Sequence, residues 1–309
     1  MSQQFQREKT FSAYSQNQGN AYAQIRRDYH PNVYQTIIDH HTSTGGRLDT
    51  LLDVGCGPGL AARALAKHFT HVTGLDPSEG MLATARSLGG TSASSEPIRY
   101  EVSTAEELGQ DLSRSSIEES SVDLITAANA AHWFDMSRFW LRAAKVLRPG
   151  GSVALWNSGE MRAHPSLPNA DAIQAAIDEY QDRQLKPYRE VGNIMARNRY
   201  TDLLLPWNMS HPMSDFDEAA FFRKDWNPEE DFFVGLPEAD LGTFEKLLAT
   251  HSAYTRWAQA HPDIAGTDKD QLKILRKEIE RLLRKAGVKE GSEKMKCTVH
   301  GTILIVKKI

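Results

Sequence analysis

The chain has 309 residues, 40% of them hydrophobic and 25% charged, and a formal net charge of −4. That length supports one large core, alone or with a cap, and the small negative charge excludes the general attraction that draws a basic protein to nucleic acid or to an anionic membrane. Two cysteines, Cys56 and Cys297, are too few for a disulfide framework or a three-thiolate metal site, so the expectation is a cytoplasmic protein, monomer or homodimer, with a small-molecule partner, no membrane, no nucleic acid and no metal.

Residues 1–20 are polar without the apolar stretch of a signal peptide, and no run reaches the ~18 apolar residues of a membrane span. From Ala21, AYAQIRRDYHPNVYQTIIDHH reads as two short helices broken at Pro31, the second with Val33, Ile37 and Ile38 on one face. Residues 1–46 are therefore an N-terminal helical arm ending in the polar linker HTSTGG. The stretch LLDVGCGPG, residues 51–59, then runs from a buried strand (Leu51, Leu52, Val54) through Gly55, Gly57 and Gly59 into the helical pattern LAARALAKHF. Glycines without a Cβ let such a turn bend sharply and bring its backbone against a ligand at the strand's carboxyl end. A dinucleotide fingerprint needs a third glycine where Leu60 stands, and a P-loop needs a Gly-Lys-Ser/Thr ending that is absent. At the end of the next strand, VTGLD, Asp76 is placed to accept both hydroxyls of a ribose. Adenosine without a phosphate cradle is the reading that remains.

DVGCGPG and GLD resemble motifs I and II of class I S-adenosylmethionine-dependent methyltransferases. The resemblance implies a Rossmann-like α/β fold: a seven-stranded, mostly parallel sheet with helices on both faces, and S-adenosylmethionine as cofactor. It places Asp53, Gly55, Cys56, Gly57 and Gly59 at the cofactor from the first turn, and Asp76, Pro77 and Met81 from the second. Cys56 is read as a small residue of the turn, not a nucleophile. Tyr22, Arg26 and Tyr29 fit the Y-x-x-x-R-x-x-Y pattern that precedes motif I in the trans-aconitate methyltransferase-like branch. There the arm covers the cofactor and the arginine meets its carboxylate, with Tyr29 on the acceptor side.

The core continues as strand 71–75, helix 78–87 with Ser78 as N-cap, and strand 98–102. In VSTAEEL, Ala105 and Glu106 match the family's adenine contact, with Ser103 beside them; Glu106 equally suits a helix cap. After the polar loop 109–121, strand 122–126 leads into AANAAHWFD, which exposes Asn129, His132, Trp133 and Phe134 at the sheet's carboxyl edge. This segment resembles the family's A-x-x-x-H-W-F, between cofactor (Asn129) and acceptor (Trp133), with His132 the catalytic candidate. Helix 137–146, the turn RPGG and the strand SVALWN follow, the last ending in Trp156 at the same edge.

Beyond residue 160 a helix is expected at 170–184 and a sixth strand at 203–211, interrupted by Pro206. Between them lie Tyr188, Arg189, Arg197, Arg199 and Tyr200; similar segments line the acceptor pocket in the trans-aconitate-like branch, which makes Tyr188 and Tyr200 substrate-side candidates. Residues 47–214 are thus the core. Aromatics from Phe216 to Trp257 at helical spacing, and an amphipathic helix at 268–287 with Leu272, Leu275, Ile279, Leu282 and Leu283 inward, make 215–288 a helical cap insertion. Residues 289–309 close the chain with KCTVHGTILIVKKI, expected as a seventh, antiparallel strand beside the sixth.

The chemistry expected is in-line attack on a sulfonium methyl, which leaves a neutral thioether, so positioning carries most of the acceleration, up to ~7–11 kcal/mol. A hydroxyl acceptor calls for His132 as base, worth ~100- to 10,000-fold, whereas a carboxylate is already ionised at neutral pH and calls for arginine or histidine partners. The expected activity is small-molecule O-methylation, of a carboxylic acid or a hydroxyl. Two alternatives stay open: a cofactor binder of the cyclase or pericyclase type that does not methylate, and an NAD-dependent oxidoreductase.

Overall fold

Short aliphatic runs that are apolar on both faces belong inside a parallel sheet covered by helices. In the computed structural model, which describes residues 8–112, 117–227, 229–234 and 238–309, the arm supplies α1 (Gln16–Ile25) and α2 (Pro31–Ser43). Then β1 (Thr50–Val54), α3 (Leu60–Ala66), β2 (His71–Asp76), α4 (Glu79–Leu88), β3 (Arg99–Val102), β4 (Val122–Ala128), α5 (Met136–Val146) and β5 (Leu147–Asn157) alternate. The second half adds β6 (Met161–Ala163), α6 (Ala170–Glu179), α7 (Val191–Arg197), β7 (Phe216–Asp225), β8 (Glu238–Asp240), α8 (Leu241–Ala249), α9 (Ser252–Ala260), α10 (Gln271–Lys285), β9 (Lys294–Val299) and β10 (Thr302–Lys308). The first seven residues of the arm, residues 113–116 of the polar loop, and residues 228 and 235–237 in the range read as a cap lie outside the described residues.

Seven strands form one sheet in the order β3-β2-β1-β4-β5-β10-β7. The first five run parallel, and β10 is antiparallel to both of its neighbours. Helices cover both faces, the doubly wound α/β fold expected from the sequence. Alternation along β1 sorts the layers: Leu51 packs with Val33, Ile37 and Leu65 of α2 and α3, while Leu52 and Val54 pack with Phe139, Trp140 and Ala143 of α5. A third apolar cluster joins Ile173 and Ile177 of α6 to Phe244, Leu248, Trp257, Leu272 and Ile279, beside the small antiparallel sheet β6-β9-β8. Strand order reverses between β1 and β4, and in open α/β sheets the crevice at that switch point is where ligands bind.

Three elements differ from expectation. Residues 203–211 form no strand; Pro206, which lacks an N–H, starts a single helical turn through Asn208. The sheet's sixth strand is instead β7, inside the segment read as helical cap. Its pattern FDEAAFFRKD leaves most side chains partly exposed, as an edge strand does, so period-two alternation is diluted by charge and the phenylalanines read as helical. The C-terminal run is also two strands, not one. Gly301 breaks it, because the Phe232 ring occupies the space a Cβ would need there, so β9 pairs in the small sheet and β10 in the large one.

Asp135 caps α5 by accepting from the backbone N–H of Ser137 (3.1 Å) and Arg138 (3.3 Å). Asp135→Ala is expected to lower stability by about 1 kcal/mol, read from the urea midpoint at unchanged slope.

Candidate active site

Between β1 and α3 the chain turns through Gly55, Gly57 and Gly59, all at positive φ (63°, 53° and 78°). At Gly55 a Cβ would fall 2.6 Å from the Cβ of Ala130 on the loop after β4, whereas at Gly57 it would meet nothing within 4 Å. Gly57 therefore opens on free space, and that space is a cavity of about 330 Å³ walled by the carboxyl ends of β1, β2, β4 and β5, by the arm and by the cap, within the size range of small-molecule sites.

Asp76, at the end of β2, organises the turn. One carboxylate oxygen accepts from the Gly57 N–H at 2.8 Å and the other from the Ser78 N–H at 2.9 Å, which leaves each oxygen a lone pair for a ligand hydroxyl. Burial pushes its pKa up to about 6 against the pull of those two N–H groups, so the group is an acceptor at neutral pH. Below the turn Asp53 is fully buried. One of its oxygens accepts from the Thr126 hydroxyl at 2.7 Å, the other has no partner, and burial raises its pKa to about 7. Cys56 lines the cavity, but burial first, and then the carboxylates of Asp76 and Asp53, hold its thiol well above the usual range. It is a packing residue.

The arm closes the cavity with Tyr22, Arg26 and Tyr29. The Arg26 guanidinium lies over the Tyr22 ring at 4.9 Å, and its Nε is buried without a partner. Tyr29 stacks on Phe233, and its hydroxyl accepts from Asn129 Nδ2 at 2.8 Å. Asn129, itself at φ 51°, accepts from the Ser158 N–H at 2.8 Å through Oδ1, tying the end of β4 to the end of β5. Pro77, Met81, Ala105 and Glu106 complete that side; Glu106 also accepts from the Asp135 N–H at 2.8 Å, so it lines the wall and braces the start of α5 together.

His132 and Trp133 sit in a short helical turn after β4 and both face the cavity. Burial pushes the His132 pKa down to about 3, leaving a neutral imidazole whose Nδ1 lies 2.9 Å from the Tyr200 hydroxyl. Six of the residues singled out in the sequence stand off the cavity wall. Asp53 lies beneath the turn. Gly59 packs on the Tyr100 ring. The Ser103 hydroxyl is engaged in its own loop, donating to Asp111 and accepting from the Gly109 N–H. Trp156 is fully buried against Tyr29 and Tyr34, Tyr188 packs on His261, and Tyr200 backs His132 from outside. Conversely Gln181, Arg189, Asn193, Arg197 and His251 join the wall. Arg189 and Arg197 stood in the Tyr/Arg-rich stretch of the sequence; Gln181, Asn193 and His251 carried no local signal, because only the folding of the second half of the chain brings them there.

Residues 52–155 match the family model described as a methyltransferase domain. A candidate methyltransferase of Dictyostelium discoideum is 34% identical over 142 residues, 46% of this chain and 48% of that protein. The match therefore spans about half of that relative. A probable S-adenosylmethionine-dependent methyltransferase of Saccharomyces cerevisiae is 27% identical over 263 residues, 82% of this chain and 86% of the yeast protein. Among solved structures, a candidate type II methyltransferase of Anaeromyxobacter dehalogenans shares the fold, with a TM-score of 0.56 at 23% identity, covering 91% of this chain and 96% of that one. The fold and the matched segment define a class I methyltransferase domain. Over residues 52–155 the chain thus carries a methyltransferase domain similar to S-adenosylmethionine-dependent methyltransferases, with S-adenosylmethionine as the cofactor.

Proposed function

We propose that the enzyme methylates oxygen on a small molecule, with a carboxylate as the acceptor group, in the manner of the trans-aconitate-like branch. One observation carries this reading: Arg189 and Arg197 stand together in the cavity wall, and burial, together with the positive charge of Arg197, holds the Arg189 guanidinium below its usual pKa. Arg197 has Glu160 at 2.8 Å, and Arg189 leans on the Gln181 carbonyl at 2.8 Å and on Asp182 at 3.4 Å. An anionic acceptor relieves that crowding of positive charge; a neutral alcohol does not.

The cavity residues fit the cofactor by their own chemistry: an ionised Asp76 with free lone pairs, a glycine turn open on the ligand side, and a buried, unpartnered Nε on Arg26 suited to a carboxylate. When bound, the cofactor supplies an electrophilic methyl on a sulfonium. Asp76 accepts the ribose hydroxyls, Ala105 and Glu106 flank the adenine, and Arg26 with Tyr22 holds the amino-acid end under the arm. On the acceptor side Tyr29, Trp133, Arg189 and Arg197 orient the incoming carboxylate and exclude water. An ionised acceptor gives up no proton, and a His132 whose pKa is near 3 would be a weak base for a hydroxyl.

The test is a screen of organic acids and phenols with methyl-labelled cofactor, products being identified by mass and by the base lability of a methyl ester. Labelled esters from acids are expected. Labelled ethers from phenols with every acid inert would overturn the reading, and demethylated cofactor formed without any methylated product would turn it toward non-methylating chemistry.

A further inference from the structure

We propose that Tyr200 fixes the tautomer of His132, so that the imidazole presents Nε2–H to the acceptor as a hydrogen-bond donor and not a lone pair as a base. The proposal takes from the preceding reading only the identity of the acceptor.

A phenol and an imidazole nitrogen 2.9 Å apart admit two arrangements, and the surroundings choose between them. Tyr200 is 2% exposed, and burial raises its pKa, so the hydroxyl keeps its proton. That O–H must find an acceptor, and among the described residues Nδ1 of His132 is the one within reach. Were Nδ1 protonated, it would donate to the phenol oxygen and the buried phenolic hydrogen would be left without an acceptor, a costlier state than the alternative. Nδ1 therefore accepts, and in a neutral ring the proton sits on Nε2.

The backbone is bent to make this contact. Arg199 and Tyr200 both lie in the left-handed region, at φ 52° and 59°, a conformation that side-chain-bearing residues take up at an energetic cost and that concentrates at functional positions. Opposite them Gly192 of α7 leaves room for the turn, since a Cβ there would fall 2.7 Å from the His132 carbonyl oxygen. His132 faces the cavity while Tyr200 stays behind it, and among the described residues no partner is found for Nε2. Tyr200 is thus a positioning residue, and a donor at Nε2 suits the second oxygen of a carboxylate while offering nothing to deprotonate an alcohol.

Long-range ¹H–¹⁵N correlation spectra of the full chain labelled with ¹⁵N-histidine decide the matter, with His132→Gln assigning the signal. The expected wild-type spectrum shows His132 with an unprotonated Nδ1 and a protonated Nε2, unchanged from pH 5 to pH 8. Tyr200→Phe, which removes only the hydroxyl, is expected to move the signal toward a mixture of tautomers. A protonated Nδ1 in the wild type, or a His132 that titrates between pH 5 and 8, overturns the proposal, and both results are read on the wild-type protein whatever the fold of Tyr200→Phe. Because the spectrum is taken without acceptor, its failure is separate from failure of the carboxylate reading, which the ester screen measures.

Discussion

Asp76→Ala is expected to raise the dissociation constant of S-adenosylhomocysteine by more than about 100-fold, because two hydrogen bonds to a charged acceptor at ~1.5–3 kcal/mol each are lost together. The variant also orphans the N–H groups of Gly57 and Ser78, which Asp76 now satisfies at 2.8 and 2.9 Å, so stability should fall by about 2 kcal/mol while the sheet persists. Calorimetric titration at pH 7.5, beside thermal unfolding without ligand, separates the two effects. Affinity within tenfold of wild type would remove Asp76 from the ribose. The pH dependence has a definite sign. Burial raises the Asp76 pKa from 3.8 to about 6, so the accepting carboxylate is lost as pH falls below about 6 and wild-type affinity should drop with it. For the ligand-free fold the sign is opposite: the contribution of the protonated group is fully present below pH 3.8 and lost as pH rises through about 6.

What the sequence made legible follows from which constraints are local. The glycine turn, Asp76 and the A-A-N-A-A-H-W-F segment are set by backbone chemistry at the ends of consecutive strands, so their spacing is written in a few residues, and Gly57, Asp76, Asn129, His132 and Trp133 do meet around one cavity. Trp156 and Tyr200 were legible as aromatics near the edge but not in their direction. A one-residue step in a strand reverses a side chain, and Tyr200 faces the back of His132 only through two left-handed residues that no periodicity encodes. β7 was hidden for a different reason: its partner, β10, is about eighty residues further along the chain, and an edge strand relies on that partner more than on its own alternation. Gln181 and Leu185 reach the wall from a loosened helical turn that follows α6, a wider helix form found often at functional sites and invisible in the pattern expected for one continuous helix at 170–184.

Two neighbouring glycines should behave in opposite ways when given a methyl group. Gly57→Ala places its Cβ in open cavity, so the fold loses only the about 1–2 kcal/mol of a left-handed alanine, whereas S-adenosylhomocysteine binding should weaken by more than about tenfold, since even a small atom there occupies ligand volume. Gly59→Ala carries the same backbone penalty, but its Cβ would lie 2.8 Å from two carbons of the Tyr100 ring, and overpacking adds about 1–3 kcal/mol. Its affinity, measured well below its lowered melting temperature, should stay within about threefold of wild type, because Gly59 does not border the cavity. The pair therefore separates a turn that merely has to bend from a turn that bends in order to receive a ligand. Loss of binding in Gly59→Ala with Gly57→Ala unaffected would mean that the cofactor lies on the other side of this loop, and the assignment of Asp76, Asn129 and His132 to one site would fall with it.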